Sequence, residues 1–378
     1  MEEWKEYKLG DVLTIKYGKD HKQLADGDIP IYGSGGIMRY GERSLYDGPS
    51  ILIPRKGSLN NVIYADKPFW TVDTMFWSII NASIANPLFV YYSICKKDFA
   101  SLNVGSAVPS LTVPVIEDID ILLPSKATQN KVVSVLKSLD DKIELNRHIN
   151  DNLEQQAQAL FKSWFVDFEP FKKGKFIDSE LGMIPEGWQV EELGNITNSI
   201  TEKVGKRTDI KVLSPVNTGD LLLSEEYFTK QVYSKNLAKY IMVAPNDFAY
   251  NPARINIGSI GMNTFDFSGC VSPVYVVFRC EKEYHHFFNI FKATKNFKEE
   301  VNTRAIGGVR QTLSYKDFSL IKIVYPPKEV VEQFNKIYSH IMTLIKKNVL
   351  ENKRLHQTRD TLLPKLMSGE LKITDINN

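Results

Sequence analysis

Cysteine and long apolar runs are scarce in this sequence. Its three cysteines, Cys95, Cys270 and Cys280, form no Cys-x-x-Cys pair, and so few thiols are typical of a reduced cytoplasmic protein without a zinc site. No apolar run approaches the roughly 20 residues of a membrane helix, and residues 1–6 show no signal-peptide pattern. We therefore expect a cytoplasmic protein that contains no structural metal.

The motifs of catalysis are missing as well. No phosphate-binding Gly-x-x-x-x-Gly-Lys-Ser/Thr loop occurs, because Gly205-Lys206 is followed by Arg207. A DNA methyltransferase would need an Asn/Asp-Pro-Pro-aromatic loop, and Asn251-Pro252 lacks the second proline and the aromatic residue. Hydrolase elbows and His-Glu-x-x-His are absent. We predict a chain that performs no covalent chemistry and binds no cofactor of its own.

Neither sign of charge is in excess. The 47 basic and 45 acidic side chains give a net charge of +2, which excludes a polycation that binds DNA by bulk charge. Residues 1–124 carry 12 basic and 15 acidic side chains, whereas residues 187–326 carry 17 and 14. The first segment could bind DNA only through a local basic patch, or with a partner that contributes phosphate contacts.

The sequence does contain an internal repeat. The opening Trp4-x-x-x-x-Leu9-Gly10 returns as Trp188-x-x-x-x-Leu193-Gly194, a separation of 184 residues. A second set of positions returns after 202 residues, and it includes Leu111/Leu313, Ile119/Ile321, Ile121/Ile323 and Pro124/Pro326. The difference of 18 indicates extra residues inside the second copy. Such a repeat predicts two related units in one chain.

Each copy ends in a predicted long helix. In the first copy the seam positions alternate in steps of four and three: Val132, Leu136, Leu139, Ile143, Asn146, Asn150, Leu153, Ala157, Leu160 and Trp164. No proline or glycine interrupts residues 125–169, so this helix is about 40 residues and about 60 Å long. The second copy keeps the spacing from Phe334 to Leu362, with a kink possible at Pro364 and an end at Gly369.

The two long helices most simply pack on each other as an antiparallel coiled coil. Asn146, Asn150, Asn348 and Asn352 fall on the seam, where buried amides would fix register and orientation at some cost in stability. In an alternative arrangement, a local stagger places Ile149 and Val349 in the seam and leaves the amides in water. The spacing alone favours neither arrangement.

The predicted fold is α+β with a pseudo-two-fold internal repeat. Two globular domains, residues 1–124 and 187–326, contain short strand-like runs such as Ser50-Ile51-Leu52-Ile53. They are joined by the helical segments 125–169 and 327–378, with residues 170–186 as a linker.

Loops that mix basic, amide and small residues are the candidate sites for binding DNA. Arginine and lysine bind guanine edges or phosphates, asparagine reads adenine, and glycine lets the backbone approach closely. The candidates in the first copy are Lys19, Lys22, Ser34, Gly35, Arg39, Arg55, Lys56 and Asn60. The candidates in the second copy are Lys206, Arg207, Asn251, Arg254, Asn256, Ser259, Arg304 and Arg310. Arg55, Lys56 and Arg254 carry the most weight, because they occupy similar places after a strand and a proline.

The whole chain resembles the specificity subunit of type I restriction–modification systems. The resemblance rests on the repeated openings, the proline-ended runs 119–124 and 321–326, and the two long helices. The runs 31–38 and 53–61 are similar to one class of target-recognition domain, and 250–259 to another. Residues 153–168 resemble the central spacer helix of the family, and residues 363–371 resemble its C-terminal helix end.

The resemblance implies a non-catalytic subunit that recognises double-stranded DNA. Residues 1–124 and 187–326 would be target-recognition domains that each read one half of a split target, with the helices setting the gap. Such a subunit docks two modification subunits, which carry S-adenosylmethionine, and the complete complex adds restriction subunits that use ATP and Mg²⁺. Two other readings remain open: a stand-alone sequence-specific DNA-binding protein, and a coiled-coil scaffold that binds other proteins.

Overall fold

In the computed structural model, two compact units contain the described residues 4–105, 108–228, 230–305 and 312–372. Unit 1 consists of Met1–Arg147 and Asn348–Asn378, and unit 2 of His148–Lys347. Each unit therefore combines one globular part with a segment of both long helices. No described helix is both long enough and apolar enough to span a membrane.

The globular part of unit 1 is built on two sheets. Its elements are β1 (Lys5–Lys8), α1 (Leu9–Val12), β2 (Leu13–Tyr17), β3 (Ile29–Gly33), β4 (Gly36–Gly41), β5 (Ser50–Pro54), β6 (Ile63–Ala65), β7 (Trp70–Thr71), β8 (Met75–Ile80), α2 (Pro87–Ile94), α3 (Val113–Glu117) and β9 (Asp120–Leu123). The central sheet has the antiparallel order β2-β8-β5-β6, and a smaller sheet has the order β4-β3-β7. The ladder between β1 and β9 brings the two ends of this part together. The first long helix, α4 (Lys126–Phe165), follows.

Unit 2 repeats this plan with additional strands. Its elements are β10 (Phe176–Ile177), β11 (Ile184–Pro185), β12 (Gln189–Glu192), α5 (Leu193–Ile196), β13 (Thr197–Ile200), β14 (Leu213–Pro215), β15 (Leu221–Leu223), α6 (Ser224–Tyr227), β16 (Ile241–Val243), β17 (Phe248–Tyr250), β18 (Ile260–Met262), β19 (Gly269–Val271), β20 (Val276–Cys280), α7 (His285–Phe291), α8 (Lys295–Arg304), α9 (Tyr315–Ser319) and β21 (Lys322–Tyr325). The central sheet has the antiparallel order β13-β20-β17-β18. The second long helix, α10 (Lys328–Met367), follows.

The two globular parts share one topology, which confirms the repeat. Strand β1 pairs Lys5 with Leu123, and β12 pairs Gln189 with Tyr325, so the separations of 184 and 202 residues are those of the paired strands. The same backbone bond closes each ladder, from the N–H of Leu9 to Ile119 at 2.8 Å and from the N–H of Leu193 to Ile321 at 2.9 Å.

The middle strand of each central sheet is buried on both faces. In β5, Ile51 and Ile53 belong to the core beneath α2, whereas Leu52 belongs to a second core around Phe69. In β17 the two faces are likewise divided, and Ala249 faces the smaller core. Successive side chains point to opposite faces of a sheet, so two covered faces require a continuous apolar run.

The long helices pack against each other in an antiparallel manner in unit 1. The amide nitrogen of Asn146 donates to the Asn352 side chain at 2.9 Å, and the guanidinium of Arg359 lies 2.7 Å from the Asp140 carboxylate. Residue numbers therefore rise along one helix as they fall along the other. In unit 2, Phe334 near the start of α10 lies against Phe161 near the end of α4.

The buried-amide arrangement of the seam is confirmed at Asn146, whereas the other three seam asparagines are half-buried. Asn146 is fully buried, while Ile149 and Val349 are 39% and 55% exposed, so the staggered alternative is wrong. The amide of Asn352 also donates to the carbonyl of Ile143 at 3.2 Å, which gives the polar layer a partner on the backbone of α4. Hydrogen bonds of this kind offset the cost of burying an amide.

Each long helix is followed within three residues by a residue in the left-handed region that lies beside a tryptophan. Helix α10 continues past Pro364, and Gly369 follows it with φ +73°, as predicted from the glycine. A Cβ atom on Gly369 would lie 2.8 Å from the Trp4 ring. The predicted helix 125–169 stops earlier, at Phe165, because Phe168 takes φ 53° and packs its ring 5.3 Å from that of Trp188.

The seam predicts unequal effects for two leucines of α4 in unit 1. Leu136 is fully buried and Leu145 is 52% exposed. We expect Leu136→Ala to lower the free energy of unfolding by about 2–5 kcal/mol, because it leaves a cavity, and Leu145→Ala to change it by less than about 0.5 kcal/mol. Urea unfolding followed by tryptophan fluorescence measures both, and equal losses would contradict this packing.

Candidate nucleic-acid interface

In unit 1 the backbone holds the candidate residues Arg55 and Lys56 at the end of β5. Their N–H groups donate to the carbonyl of Thr74 at 2.9 and 3.2 Å, and the N–H of Leu111 donates to the carbonyl of Arg55 at 2.9 Å. The Arg55 guanidinium lies 5.5 Å from the ring centroid of Tyr17, a cation–π contact. The Lys56 side chain is exposed. The segment is therefore rigid and presents two cations.

The tip of the β3–β4 hairpin lies against the same loop. The amide nitrogen of Asn61 donates to the carbonyl of Ser34 at 2.8 Å. Gly57 has φ +88°, and a Cβ atom there would lie 2.8 Å from the Ser34 hydroxyl, so only glycine fits. The structure thus brings the predicted residues Ser34, Gly35 and Lys56 together.

The predicted Lys19 and Lys22 lie on an exposed turn after β2. The N–H of Lys19 donates to the carbonyl of Thr71 at 2.9 Å, and the indole of Trp70 donates to the carbonyl of Lys19 at 3.0 Å. The N–H of Lys22 donates to the Asp20 carboxylate at 3.0 Å. The backbone is fixed on the sheet, and both lysine side chains are exposed.

Two further candidates of unit 1 hold loops in place. The guanidinium of Arg39 donates to the carbonyls of His21 and Leu24 at 2.6 and 2.9 Å, and it pairs with Asp26. The Asn60 side chain accepts from the N–H of Ala100 at 2.8 Å. These contacts within the unit give Arg39 and Asn60 a structural role that requires no contact with DNA.

In unit 2 the candidate loop follows β17. The side-chain oxygen of Asn251 accepts a hydrogen bond from the N–H of Ala253 at 3.1 Å. This bond forms a turn before the exposed Arg254. The carbonyl of Arg254 accepts from the N–H of Ser259 at 3.1 Å. The half-buried Asn256 lies within this turn, so three predicted residues share one compact loop.

The loops after β5 and β17 occupy equivalent positions in the two units. The N–H of Leu111 donates to the carbonyl of Arg55 in unit 1, and the N–H of Leu313 donates to the carbonyl of Pro252 in unit 2 at 3.1 Å. These leucines are a pair of the 202-residue repeat. The correspondence predicted for Arg55-Lys56 and Arg254 is therefore present in the backbone.

Four other candidates of unit 2, Lys206, Arg207, Ser259 and Arg304, are not exposed members of that loop. Ser259 is buried, and its hydroxyl donates to the carbonyl of Pro215 at 2.8 Å. Arg207 donates to the carbonyl of Lys203 at 3.0 Å, and Arg304 pairs with Glu300 at 3.1 Å. Lys206 is exposed beside Arg207. Arg310 lies outside the described residues.

Two tyrosines near the arginines were missed from the sequence. Tyr17 is 56% exposed beneath the Arg55 guanidinium. Burial raises the pKa of Tyr275, and the nearby charge of Arg254 partly opposes this rise. The position of Tyr17 at the end of an amphipathic strand was an available signal, whereas the approach of Tyr275 to Arg254 depends on the tertiary fold.

Two thiols are protonated at neutral pH, and the described residues form no metal-binding cluster. Burial raises the pKa of the Cys95 thiol to about 11 and that of Cys270 to about 12, so neither is a thiolate nucleophile. Among the residues that the structure describes, no group of three or more His, Cys, Asp or Glu side chains could hold a metal ion.

Comparison with known proteins gives a consistent answer along the chain. The sequence model of the type I restriction modification DNA specificity domain matches residues 1–155. The MjaIX specificity subunit of Methanocaldococcus jannaschii is 27% identical over 98% of this chain and 89% of its own length. The HindI specificity subunit of Haemophilus influenzae is 22% identical over 98% of this chain and 100% of its own length. Residues 1–155 thus contain a type I restriction modification DNA specificity domain, and the whole chain is similar to type I specificity subunits.

A solved structure supports the fold of this specificity subunit. The S subunit of the type I restriction–modification system from M. genitalium superimposes with a TM-score of 0.62 over 97% of this chain and 96% of that chain, at 14% identity. The matched model describes a DNA specificity domain, and the matched relatives are specificity subunits of restriction enzymes.

The contacts of Arg39 and Arg254 predict that alanine lowers stability at the first position and DNA recognition at the second. We expect Arg39→Ala to lower the free energy of unfolding by about 1–3 kcal/mol, because two loop carbonyls lose their charged donor. Arg254→Ala should leave stability within about 0.5 kcal/mol but weaken target methylation by the assembled complex about tenfold. Urea unfolding and a methylation assay measure the two effects, and the reverse pattern would contradict these assignments.

Proposed function

We propose that each unit of this specificity subunit reads one half of a bipartite double-stranded DNA target. One observation carries the proposal: the same backbone bond anchors a basic loop at the same strand end in both units, through Leu111 in one and Leu313 in the other. Two equivalent loops with different side chains fit two different half-sites. Base edges in the major groove distinguish such sequences.

Phosphate binding is shared with partner subunits in this proposal. Residues 1–124 carry more acidic than basic side chains, so the globular part of unit 1 needs phosphate contacts from elsewhere in a complex. Two modification subunits would supply these contacts together with S-adenosylmethionine. Restriction subunits would bring ATP and Mg²⁺, and the complex would act in the cytoplasm. The specificity subunit itself would bind none of these cofactors.

Exposed apolar side chains on the long helices support a docking surface for the modification subunits. In unit 1, Val349 and Leu350 of α10 are 55% and 58% exposed. In unit 2, Ile337 and Leu344 of the same helix are 44% and 36% exposed. A contiguous exposed apolar patch is typical of a surface that a partner covers, and in this proposal these side chains belong to such patches.

The docking surface predicts that a charge will block assembly without unfolding the chain. We expect Leu350→Asp to weaken association with the modification subunit at least tenfold, because the carboxylate loses hydration on docking. Ser138→Asp places the same charge on an exposed position of α4, outside the apolar residues of α10, and is the matched control. Size-exclusion chromatography with light scattering measures assembly, and equal behaviour of the two variants would rule out this surface.

The proposal also assigns the gap between the half-sites to the length of the long helices. Deleting one heptad from each, residues 151–157 of α4 and 341–347 of α10, preserves the seam spacing. At 1.5 Å per residue we expect the gap to shorten by about three base pairs, or methylation to be lost, with both half-sites unchanged. Methylome sequencing gives the half-sites and the gap between them, and altered half-sites with the original gap would contradict the proposal.

A gel shift distinguishes this function from the two alternatives. We expect sequence-specific binding only when the modification subunit is present. A stand-alone DNA-binding protein would bind the target tightly without it. A coiled-coil scaffold would bind no DNA sequence in either case. Methylation mapping in a host that carries the cognate modification subunit then gives the two half-sites.

A further inference from the structure

The outer strand of the β3–β4 hairpin presents successive apolar side chains to solvent. Ile37 and Met38 are 49% and 59% exposed, although neighbours in a strand ordinarily face opposite sides. Arg39 pairs with Ile31 and Ile37 pairs with Tyr32, so Met38 is an inserted residue without a partner on β3. This β-bulge explains why both apolar side chains face outward.

The hairpin shares its surface with the cations after β5. Its tip is open, because a Cβ atom on Gly35 or Gly36 would meet nothing within 4 Å. The Met38 side chain lies over Gly33, where a Cβ atom would come within 2.5 Å of its sulfur. Through Ser34 the tip contacts the loop that carries Lys56. The apolar pair and the cation Lys56 therefore lie on two exposed segments that contact each other through Ser34.

The form of this edge argues for DNA as the ligand. Strand β4 is an edge of the sheet β4-β3-β7, and its bulge interrupts the ladder that an added strand would extend. The neighbouring Arg55 and Lys56 favour a partner that carries negative charge. In the major groove of DNA the one apolar group that a base edge offers is the C5 methyl of thymine.

We propose that Ile37 and Met38 contact thymine methyl groups in the major groove of the half-site read by unit 1. Lys56 and Arg55 bind the adjacent phosphates or guanine edges. This inference rests on the proposed function and adds the base chemistry that unit 1 selects. It makes Ile37 and Met38 specificity-determining residues.

Uracil, which is thymine without the methyl group, tests the contact directly. Every thymine of both half-sites is replaced by uracil, one at a time, and binding by the complex with its modification subunit is measured by fluorescence anisotropy. We expect uracil at one or more positions of a single half-site to weaken binding about three- to tenfold, the scale of one buried methyl group. In the double variant Ile37→Ser/Met38→Ser, uracil and thymine should bind equally at those positions.

The matched control is Ile79→Ser, which removes an apolar side chain of β8 that is 38% exposed and lies outside the hairpin. This variant should keep the full sensitivity to uracil. Urea unfolding midpoints equal to that of the wild type show that each variant is folded, as expected for exposed positions.

Each other outcome overturns the proposal. Uracil that binds like thymine at every position excludes a methyl contact, as does sensitivity that persists in the double variant. Failure of the double variant to assemble with the modification subunit would identify the hairpin as a protein-docking surface. A wild-type complex that prefers no DNA sequence would instead refute the proposed function itself.

Discussion

The antiparallel packing of α4 and α10 is the interaction on which both units depend. In unit 1, Leu136 of α4 and Leu366 of α10 enter the same core as the central sheet. In unit 2, Phe165 and Phe334 do the same. Each globular part therefore completes its core with a segment of both helices rather than with its own helix alone. The polar layer of Asn146 and Asn352 has its hydrogen-bond partners only in a register that brings the two amides together, so it selects the alignment that builds both cores.

The long helices were predictable because their information is local. Steps of four and three residues identify the seam, and Arg359 is a charged seam position whose partner, Asp140, lies on the facing helix. The repeat was equally visible, since Trp, Leu, Gly and Pro anchors mark the ladders that close each globular part. The strand order of the central sheets and the bulge at Met38 were not predictable from the sequence, because strand register is set by contacts between residues far apart in sequence.

The candidate DNA-binding residues fall into a group bonded within the unit and a group that is exposed, and contacts between distant residues again decide which is which. Sequence identifies arginine and serine in a polar loop, but it cannot show whether their donors face solvent. Arg39 reaches the carbonyls of a neighbouring loop, and Ser259 reaches Pro215, 44 residues away. Lys56 and Arg254 remain exposed on anchored loops. Ile37 and Met38 lie in the run 31–38 but were not among the candidate DNA-binding residues, because apolar residues in a strand are ordinarily assigned to the core.

The contact of Gly369 with Trp4 has a consequence for synthesis of the chain. Unit 2 is a continuous segment, whereas unit 1 is assembled from the first and last parts of the sequence. On the ribosome, the globular part that is made first must wait for α10, with its apolar helix-facing surface uncovered while more than two hundred further residues emerge. The part that is made second can complete its core earlier. The two cores are thus completed in the reverse of the order in which their globular parts are translated.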